Sequence, residues 1–240
     1  MAVKENIFKI EELIQKACNS AGRTRGEITL MGVTKFCPIE KIKKAYECGI
    51  RCFGESRGKE AAEKFSNAKD IFSGAQLHLI GSLQRNKVKQ AVSFFDCIQS
   101  VDRNELIDEL VKNTSFMEGK TEAEHSRKLS VLIELHTGED SKNGYATFDE
   151  LFNAAELLLK TGSLMPLGLM TMAPFTDDAK LIRASFRKLV KAQEELKKRF
   201  PLNQNGKNWD ILSMGMSNDF TIAIEEGSTL LRIGSAIFKD

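Results

Sequence analysis

The chain has 240 residues and nearly balanced charges, with 35 Lys and Arg against 33 Asp and Glu and a formal net charge of +2. Balanced charge provides no sequence-wide basic field for nucleic acid or anionic lipid. Hydrophobic residues make up 42% of the chain, but no apolar run approaches the ~20 residues that a bilayer crossing needs, so we expect no membrane span. The first residues mix acidic and basic side chains where a signal peptide has an apolar core, which predicts a cytoplasmic protein.

Cysteine and histidine usage argues against disulfide and metal chemistry. The five cysteines are scattered without a C-x-x-C pair, and the three histidines lack metal-ligand spacing such as H-E-x-x-H. We therefore expect neither a disulfide framework nor a bound metal, and the chemistry must come from other residues.

Short apolar runs rich in β-branched residues alternate with helical patterns along the chain. The runs predict eight strands, at residues 28–34, 50–53, 77–80, 97–101, 129–135, 167–170, 209–213 and 230–233. The clearest helical pattern begins near Leu181 and stops at Pro201. An extra amphipathic helix around Ile7 and Ile14 precedes the first strand, and it is expected to cover the barrel floor or to pack against the outer helices.

Strands that alternate with helices imply parallel pairing with right-handed crossovers. An open doubly wound sheet and a closed (β/α)8 barrel both fit this order. Eight repeats in a chain near the ~250 residues typical of the barrel favour closure, and the dinucleotide fingerprint G-x-G-x-x-G is absent. We predict an α/β fold in which one (β/α)8 TIM barrel domain spans residues 1–240, with the polar stretches 114–128 and 202–208 as surface insertions.

Lys35 is the most informative residue at a predicted strand end. In barrels of this type, function gathers where the strands end and the loops converge on one mouth. Lys35 follows the first strand, between Thr34 and Phe36. A lysine partly shielded from water there has a lowered pKa and can act as an amine nucleophile. The alternative is a lysine that only reaches solvent.

Small and hydroxyl-bearing residues follow the last two strands. Ser217 is placed to cap the helix that begins at residues 218–220, and Gly234 and Ser235 form a second turn. Barrels commonly bind phosphate after strands seven and eight, although both turns could also be purely structural. Arg232 lies two residues before Gly234. If its side chain points into the mouth, it needs an anion or an acceptor such as a pyridine nitrogen.

A nucleophilic lysine, a phosphate cradle and an arginine together meet the needs of pyridoxal 5′-phosphate (PLP). The aldehyde of PLP forms a Schiff base with lysine, and its phosphate anchors the ring. Because arginine keeps its proton, a ring nitrogen partnered by Arg232 should stay largely unprotonated, which makes the cofactor a weaker electron sink.

Longer motifs resemble one known family. They are Val33-Thr34-Lys35, Phe53-Gly54-Glu55, His78-Leu79-Ile80-Gly81-Ser82-Leu83-Gln84, Ser100-Val101-Asp102-Arg103, Gly168-Leu169-Met170, Leu212-Ser213-Met214-Gly215-Met216-Ser217 and Arg232-Ile233-Gly234-Ser235. In this order, the motifs resemble the alanine-racemase-like, single-domain pyridoxal phosphate homeostasis proteins over almost the whole chain.

The resemblance implies a barrel of fold type III that holds PLP as a Schiff base on Lys35. It also implies a role in the intracellular balance of vitamin B6 and amino acids, with PLP as the ligand. Other B6 vitamers are candidate ligands and PLP-dependent apo-enzymes are candidate partners, and whether PLP is delivered, buffered or sensed stays open. The predicted cofactor-binding residues are Lys35, Ser56, Met214, Ser217, Arg232, Gly234 and Ser235. No apolar stripe demands a partner subunit, so we expect a monomer, and a dimer stays open.

Three positions depart from the family pattern. The usual Phe-Gly-Glu-Asn ends in Ser56 here, and Arg57 replaces the Tyr that often follows, so a side chain at the predicted cofactor site is shortened. In the last turn, Ser235 replaces the usual Thr and keeps the hydroxyl.

Three functions stay open from the sequence. The first is PLP homeostasis without robust turnover, the second is a PLP-dependent amino-acid racemase or related enzyme, and the third is a barrel enzyme that uses Lys35 on a phosphorylated metabolite without a cofactor. Two-base racemization needs a second acid/base group opposite Lys35. In the related alanine racemases, a tyrosine from a second domain has this role. We expect no second domain in this chain, and Tyr145 is the tyrosine that could substitute.

Two further residue types have an ordinary structural interpretation. His78 lies in an apolar run, so a hydrogen-bonded core histidine is expected in preference to a role near the cofactor. Met170, Met172, Met214 and Met216 lie at the ends of adjacent strands, where methionine usually provides adaptable packing, although here the four could also line the cofactor ring.

Overall fold

The computed structural model of the protein describes residues 2–65, 71–115, 128–138, 143–202, 206 and 209–239. Within these residues, eight parallel strands close into a barrel in chain order, and the last strand pairs with the first. The strands are β1 (Thr29–Val33), β2 (Cys52–Glu55), β3 (Gln76–Leu79), β4 (Cys97–Val101), β5 (Leu129–Glu134), β6 (Leu164–Met170), β7 (Ile211–Ser213) and β8 (Leu230–Ile233). The predicted (β/α)8 barrel is confirmed, and every predicted strand overlaps an observed one.

Helices follow the strands around the outside of the barrel. They are α1 (Ala2–Ser20), α2 (Ile39–Glu47), α3 (Gly58–Phe65), α4 (Val88–Val92), α5 (Asn104–Ser115), α6 (Phe148–Leu159), α7 (Ala179–Arg199), α8 (Phe220–Glu225) and α9 (Ser235–Phe238). The extra helix α1 contacts α2, α8 and α9. Of the two places expected for it, the structure therefore shows packing against the outer helices.

Side chains alternate between two buried regions across the barrel wall. Those that point outward, such as Leu212 and Leu231, join the core between sheet and helices. Those that point inward form apolar clusters, one of which contains Met31, Cys52 and Leu230. The interior also contains buried polar side chains, namely His78, Gln99, Ser213 and Arg232. A barrel interior is normally filled by branched apolar residues, so this polar part marks the region where function is expected.

Parts of the two predicted surface insertions lie outside the described residues. These are residues 116–127, which include His125, and residues 203–205 and 207–208. In the part of the chain that the structure describes, no helix has the length and apolar character that crossing a membrane requires.

Candidate cofactor site

Lys35 lies on the turn that follows β1 at the barrel mouth. Thr34 is fully buried, whereas Lys35 is exposed and the side chain of Phe36 is 76% exposed. The backbone of Phe36 is left-handed, with φ of 57°, a conformation that is unusual for a bulky residue. This turn leads the aromatic ring into solvent. Of the two possibilities left open for Lys35, shielding from water and access to solvent, the structure shows the second, and the lysine presents an accessible primary amine.

The turns after β7 and β8 meet at the same end of the barrel, as predicted. Ser235 Oγ donates a hydrogen bond to Ser217 Oγ at 3.0 Å, and the Ala236 N–H donates to the same oxygen at 3.3 Å. Gly234 packs so closely on β1 that a Cβ atom there would lie 3.2 Å from the carbonyl oxygen of Val33. The two turns therefore lie beside the strand that leads to Lys35.

The predicted helix cap at Ser217 is wrong. Helix α8 begins at Phe220, and its N-cap residue is Asp219. The Asp219 carboxylate accepts a hydrogen bond from the Met216 N–H, which closes the turn before the helix. Ser217 lies inside this closed turn and pairs with the turn after β8.

Arg232 lies inside the barrel with its guanidinium group at the level of the mouth. The side chain is 4% exposed. Nη1 donates to Ser213 Oγ at 2.7 Å, and Nη2 donates to the carbonyl oxygen of Thr171 at 2.7 Å. Ser213 ends β7, and Thr171 follows β6. Burial lowers the pKa of Arg232 to about 10, against the attraction of Asp219 and Glu134, so the residue keeps its charge at neutral pH.

A series of hydrogen bonds, here called the interior chain, runs across the barrel from Arg232 through Ser213 and Gln99 to His78. Ser213 Oγ donates to Gln99 Oε1 at 2.6 Å, and Gln99 Nε2 pairs with His78 Nδ1 at 2.8 Å. Burial lowers the pKa of His78 to about 4, so its imidazole is neutral and Nδ1 accepts. His78 is thus the hydrogen-bonded core histidine that we expected. The sequence analysis did not predict the hydrogen bonds that connect His78 to Arg232. The polar residue Gln99, in the middle of an apolar strand, was the feature that could have indicated them.

Glu134 was also missed by the sequence analysis. It ends β5, and it is 3% exposed. Burial raises the pKa of Glu134 to about 7, with a further contribution from Asp102 and an opposing one from Arg232. A buried carboxyl group that titrates near neutral pH therefore lies close enough to Arg232 to sense its charge.

The other two predicted cofactor residues, Ser56 and Met214, are placed differently. Ser56 is half-buried and follows β2, the neighbour of β1. Met214 is fully buried in the core between sheet and helices, whereas Met170 packs inside the barrel. This placement gives no support to a contact between the Met214 side chain and a cofactor ring, and that assignment stays a prediction.

A charged group of three residues, here called the α3 cluster, packs between the ends of β1 and β2 and helix α3. It consists of Glu55, Glu60 and Lys64. Glu55 is fully buried, and its Oε1 accepts from Thr34 Oγ1 at 2.6 Å and from Lys64 Nζ at 3.0 Å. Its Oε2 has no hydrogen-bond partner among the described residues. Burial raises the pKa of Glu55, and the hydrogen bonds from Thr34 and Lys64 oppose this.

Comparison with known proteins identifies the family. Residues 9–240 match the family of the alanine racemase N-terminal domain. A pyridoxal phosphate homeostasis protein of Aquifex aeolicus is 36% identical over 236 residues, which cover 98% of this chain and 97% of that protein. The chain belongs to the pyridoxal phosphate homeostasis proteins. The predicted family is therefore confirmed.

Two solved structures share the fold over nearly the full length. One is an unknown protein from Bifidobacterium adolescentis, with a TM-score of 0.86, 28% identity and coverage of 99% of this chain and 94% of that chain. The other is PipY of Synechococcus elongatus PCC7942 with PLP bound, with a TM-score of 0.77, 28% identity and coverage of 94% and 99%.

Proposed function

We propose that this protein is a cytoplasmic monomer that binds PLP as a Schiff base on Lys35 and maintains the intracellular balance of PLP, vitamin B6 and amino acids. PLP-dependent apo-enzymes are its proposed recipients, and other B6 vitamers its further ligands. The observation that carries the proposal is the meeting, at one barrel mouth, of an exposed amine, a buried arginine and a pair of hydroxyl groups. The family and the PLP-bound PipY structure support it.

The residues at the mouth match the groups that PLP presents. The Lys35 amine condenses with the aldehyde, and one water leaves as a C=N bond replaces the C=O bond, without an oxidant or reductant. The Ser217 hydroxyl can donate to the phosphate, and the Ser235 hydroxyl can do so once it turns away from Ser217 Oγ. The close approach of Gly234 to β1 leaves little space for a side chain at that turn. Arg232 uses two of its N–H donors in the interior chain and on Thr171, which leaves others for a ring nitrogen. When bound, PLP supplies an electrophilic carbon and an electron sink.

We also propose that the protein carries PLP without robust turnover. The chain has two tyrosines, and the hydroxyl groups of both are already used. The Tyr145 hydroxyl donates to Asn104 Oδ1 at 2.8 Å, and the Tyr46 hydroxyl donates to the carbonyl oxygen of Ser73 at 2.7 Å. Burial also raises the pKa of Tyr145. Neither tyrosine is therefore ready to exchange a proton with a substrate, and the permanent charge of Arg232 favours weak carbanion stabilisation.

The absorbance spectrum of the purified protein tests the binding proposal. We expect a Schiff-base band that borohydride bleaches, that Lys35→Ala abolishes and that Lys43→Ala retains. Lys43 is a suitable control because it is an exposed lysine on the neighbouring helix α2, where alanine is well tolerated. A wild-type protein that stays colourless after incubation with PLP contradicts the proposal and favours the cofactor-free barrel enzyme.

Proton exchange tests the absence of turnover. The PLP-loaded protein is incubated with single L-amino acids in deuterated water, and the α-proton signal is followed by NMR. We expect exchange no faster than with free PLP. Exchange at a rate that supports turnover would replace the carrier with the racemase or a related enzyme.

A further inference from the structure

Two residues of helix α3 hold the peptide groups on both sides of Lys35. Lys64 Nζ donates to the carbonyl oxygen of Thr34 at 2.6 Å, and Glu60 Oε1 accepts from the N–H of Phe36 at 2.6 Å. These atoms belong to the two peptide groups that meet at the Cα atom of Lys35, and each peptide group is planar. Holding both groups fixes the backbone angles from which the Lys35 side chain projects.

The two α3 residues are themselves held in place. Lys64 Nζ also donates to Glu55 Oε1 at 3.0 Å and to Glu60 Oε1 at 2.7 Å, so all three of its N–H groups are used. The Lys64 side chain is 15% exposed and that of Glu60 is 21% exposed, so solvent screens their interaction weakly.

Both residues keep their charges at neutral pH. Burial lowers the pKa of Lys64, but its hydrogen bonds to Glu60 and Glu55 outweigh burial and raise the pKa overall. Burial likewise raises the pKa of Glu60, but hydrogen bonds from Lys64 and the Phe36 N–H lower it overall. The geometry around Lys35 is therefore maintained by a charged pair under ordinary conditions.

The turn has one backbone hydrogen bond of its own, from the Cys37 N–H to the carbonyl oxygen of Thr34 at 3.0 Å, but the conformation of Phe36 inside it is unfavourable. The left-handed conformation of Phe36, with φ of 57°, is one that bulky L-residues rarely adopt. The ring is mostly in solvent, so core packing does not hold it. The Arg57 guanidinium lies 5.9 Å from the ring centroid, which is a weak contact at an exposed site. The hydrogen bond from the Phe36 N–H to Glu60 therefore restrains the backbone of Phe36 more strongly than the Arg57 contact does.

We infer that Lys64 and Glu60 are positioning residues for Lys35, which orient its amine for attack on an aldehyde. The inference rests on the proposed function, because it concerns the same lysine. Through these two residues, α3 controls Schiff-base formation on Lys35. It does not affect the phosphate contacts of the turns after β7 and β8. A ligand without an aldehyde should therefore be insensitive to substitutions in α3.

The test compares two ligands and three variants of the full-length protein. PLP carries the aldehyde, whereas pyridoxine 5′-phosphate has an alcohol in its place and cannot condense with lysine. Glu60→Ala removes the acceptor for the Phe36 N–H, Glu60→Gln keeps an acceptor oxygen, and Glu63→Ala is the control. Glu63 lies on the same helix and is 66% exposed, in a surface pair with Lys59.

We expect Glu60→Ala to weaken the binding of PLP about tenfold, the scale of one lost hydrogen bond to a charged group, and to leave the Kd for pyridoxine 5′-phosphate unchanged. Glu60→Gln should recover most of the loss, and Glu63→Ala should match the wild type. Equal weakening of both ligands would mean a general structural defect and would overturn the inference, as would unchanged binding of both.

Hydrogen exchange provides a readout that needs no ligand. In the ligand-free protein, the Phe36 amide should exchange faster in Glu60→Ala than in the wild type or Glu63→Ala, and equal exchange would overturn the inference. Failure of the proposed function is distinguishable, because the wild type itself would then form no Schiff base on Lys35. A wild type that binds PLP but not pyridoxine 5′-phosphate contradicts the phosphate site, and the exchange result then decides the positioning role alone.

Discussion

The α3 cluster and the interior chain lie on opposite faces of the barrel wall, and they hold their key residues by different physical means. In the α3 cluster, a buried carboxylate is balanced by a lysine whose side chain is 15% exposed, and the pair supports the turn that carries Lys35. In the interior chain, Arg232 is held by neutral partners that end at an uncharged His78. The first arrangement depends on charge balance. The second depends on hydrogen-bond direction, and therefore on the protonation of one imidazole.

The largest effect on stability is expected when the charge balance of the α3 cluster is broken. Lys64→Met leaves the fully buried Glu55 without its cation, and breaking a buried pair in this way costs about 3 kcal/mol of unfolding free energy. Lys59→Met is the matched control, because Lys59 lies on the same helix, is 86% exposed and, among the described residues, makes a surface pair with Glu63 at 3.9 Å. Urea unfolding of both variants measures the difference.

A double-mutant cycle sharpens this test. Adding Glu55→Gln to Lys64→Met removes the unpaired charge, so the double variant should be more stable than Lys64→Met alone. Equal losses in Lys64→Met and Lys59→Met would show that charge balance does not distinguish the α3 cluster from the protein surface.

A smaller effect, with a characteristic pH dependence, is expected in the interior chain. The pKa of His78 is about 4 in the folded protein and about 6.5 in an unfolded chain, so the unfolded chain binds more protons between these values. Stability therefore falls as the pH is lowered through this window, and His78 accounts for about 2 kcal/mol of the loss between pH 7 and pH 5.

His78→Asn removes the titrating group and keeps a side-chain oxygen that can accept from Gln99. We expect its unfolding free energy to change less than that of the wild type between pH 7 and pH 5, as measured by urea unfolding at both values. Parallel pH profiles for the two proteins would mean that protonation of His78 does not limit the interior chain.

The two regions also show which features were predictable from sequence. Strands β4 and β8 match the predicted ranges because β-branched and apolar residues mark them clearly. Lys35 and Arg232 were predictable because strand ends in such barrels converge on one mouth. The contact of Lys64 with Thr34 was not predictable, because it depends on how α3 packs against the sheet. The cap at Ser217 was wrong because Asp219, two residues later, closes the turn instead.

The smallest effect on stability is expected at Ser217, a residue of the turn after β7 that is part of neither a buried charge pair nor the interior chain. Ser217 is half-exposed, so water can replace the hydroxyl lost in Ser217→Ala, and the unfolding free energy should change by no more than about 0.5 kcal/mol. Ser82→Ala, at an exposed serine after β3, is the control.

The affinity of Ser217→Ala for PLP should nevertheless fall about tenfold, because a donor to a charged phosphate is lost. Its affinity for pyridoxal, which has no phosphate, should stay unchanged. Titrations of both variants with both ligands measure this selectivity. A Ser217→Ala protein that loses equal affinity for both ligands, or for neither, would remove Ser217 from the phosphate site and leave Ser235 and the turn at Gly234 as its candidate residues.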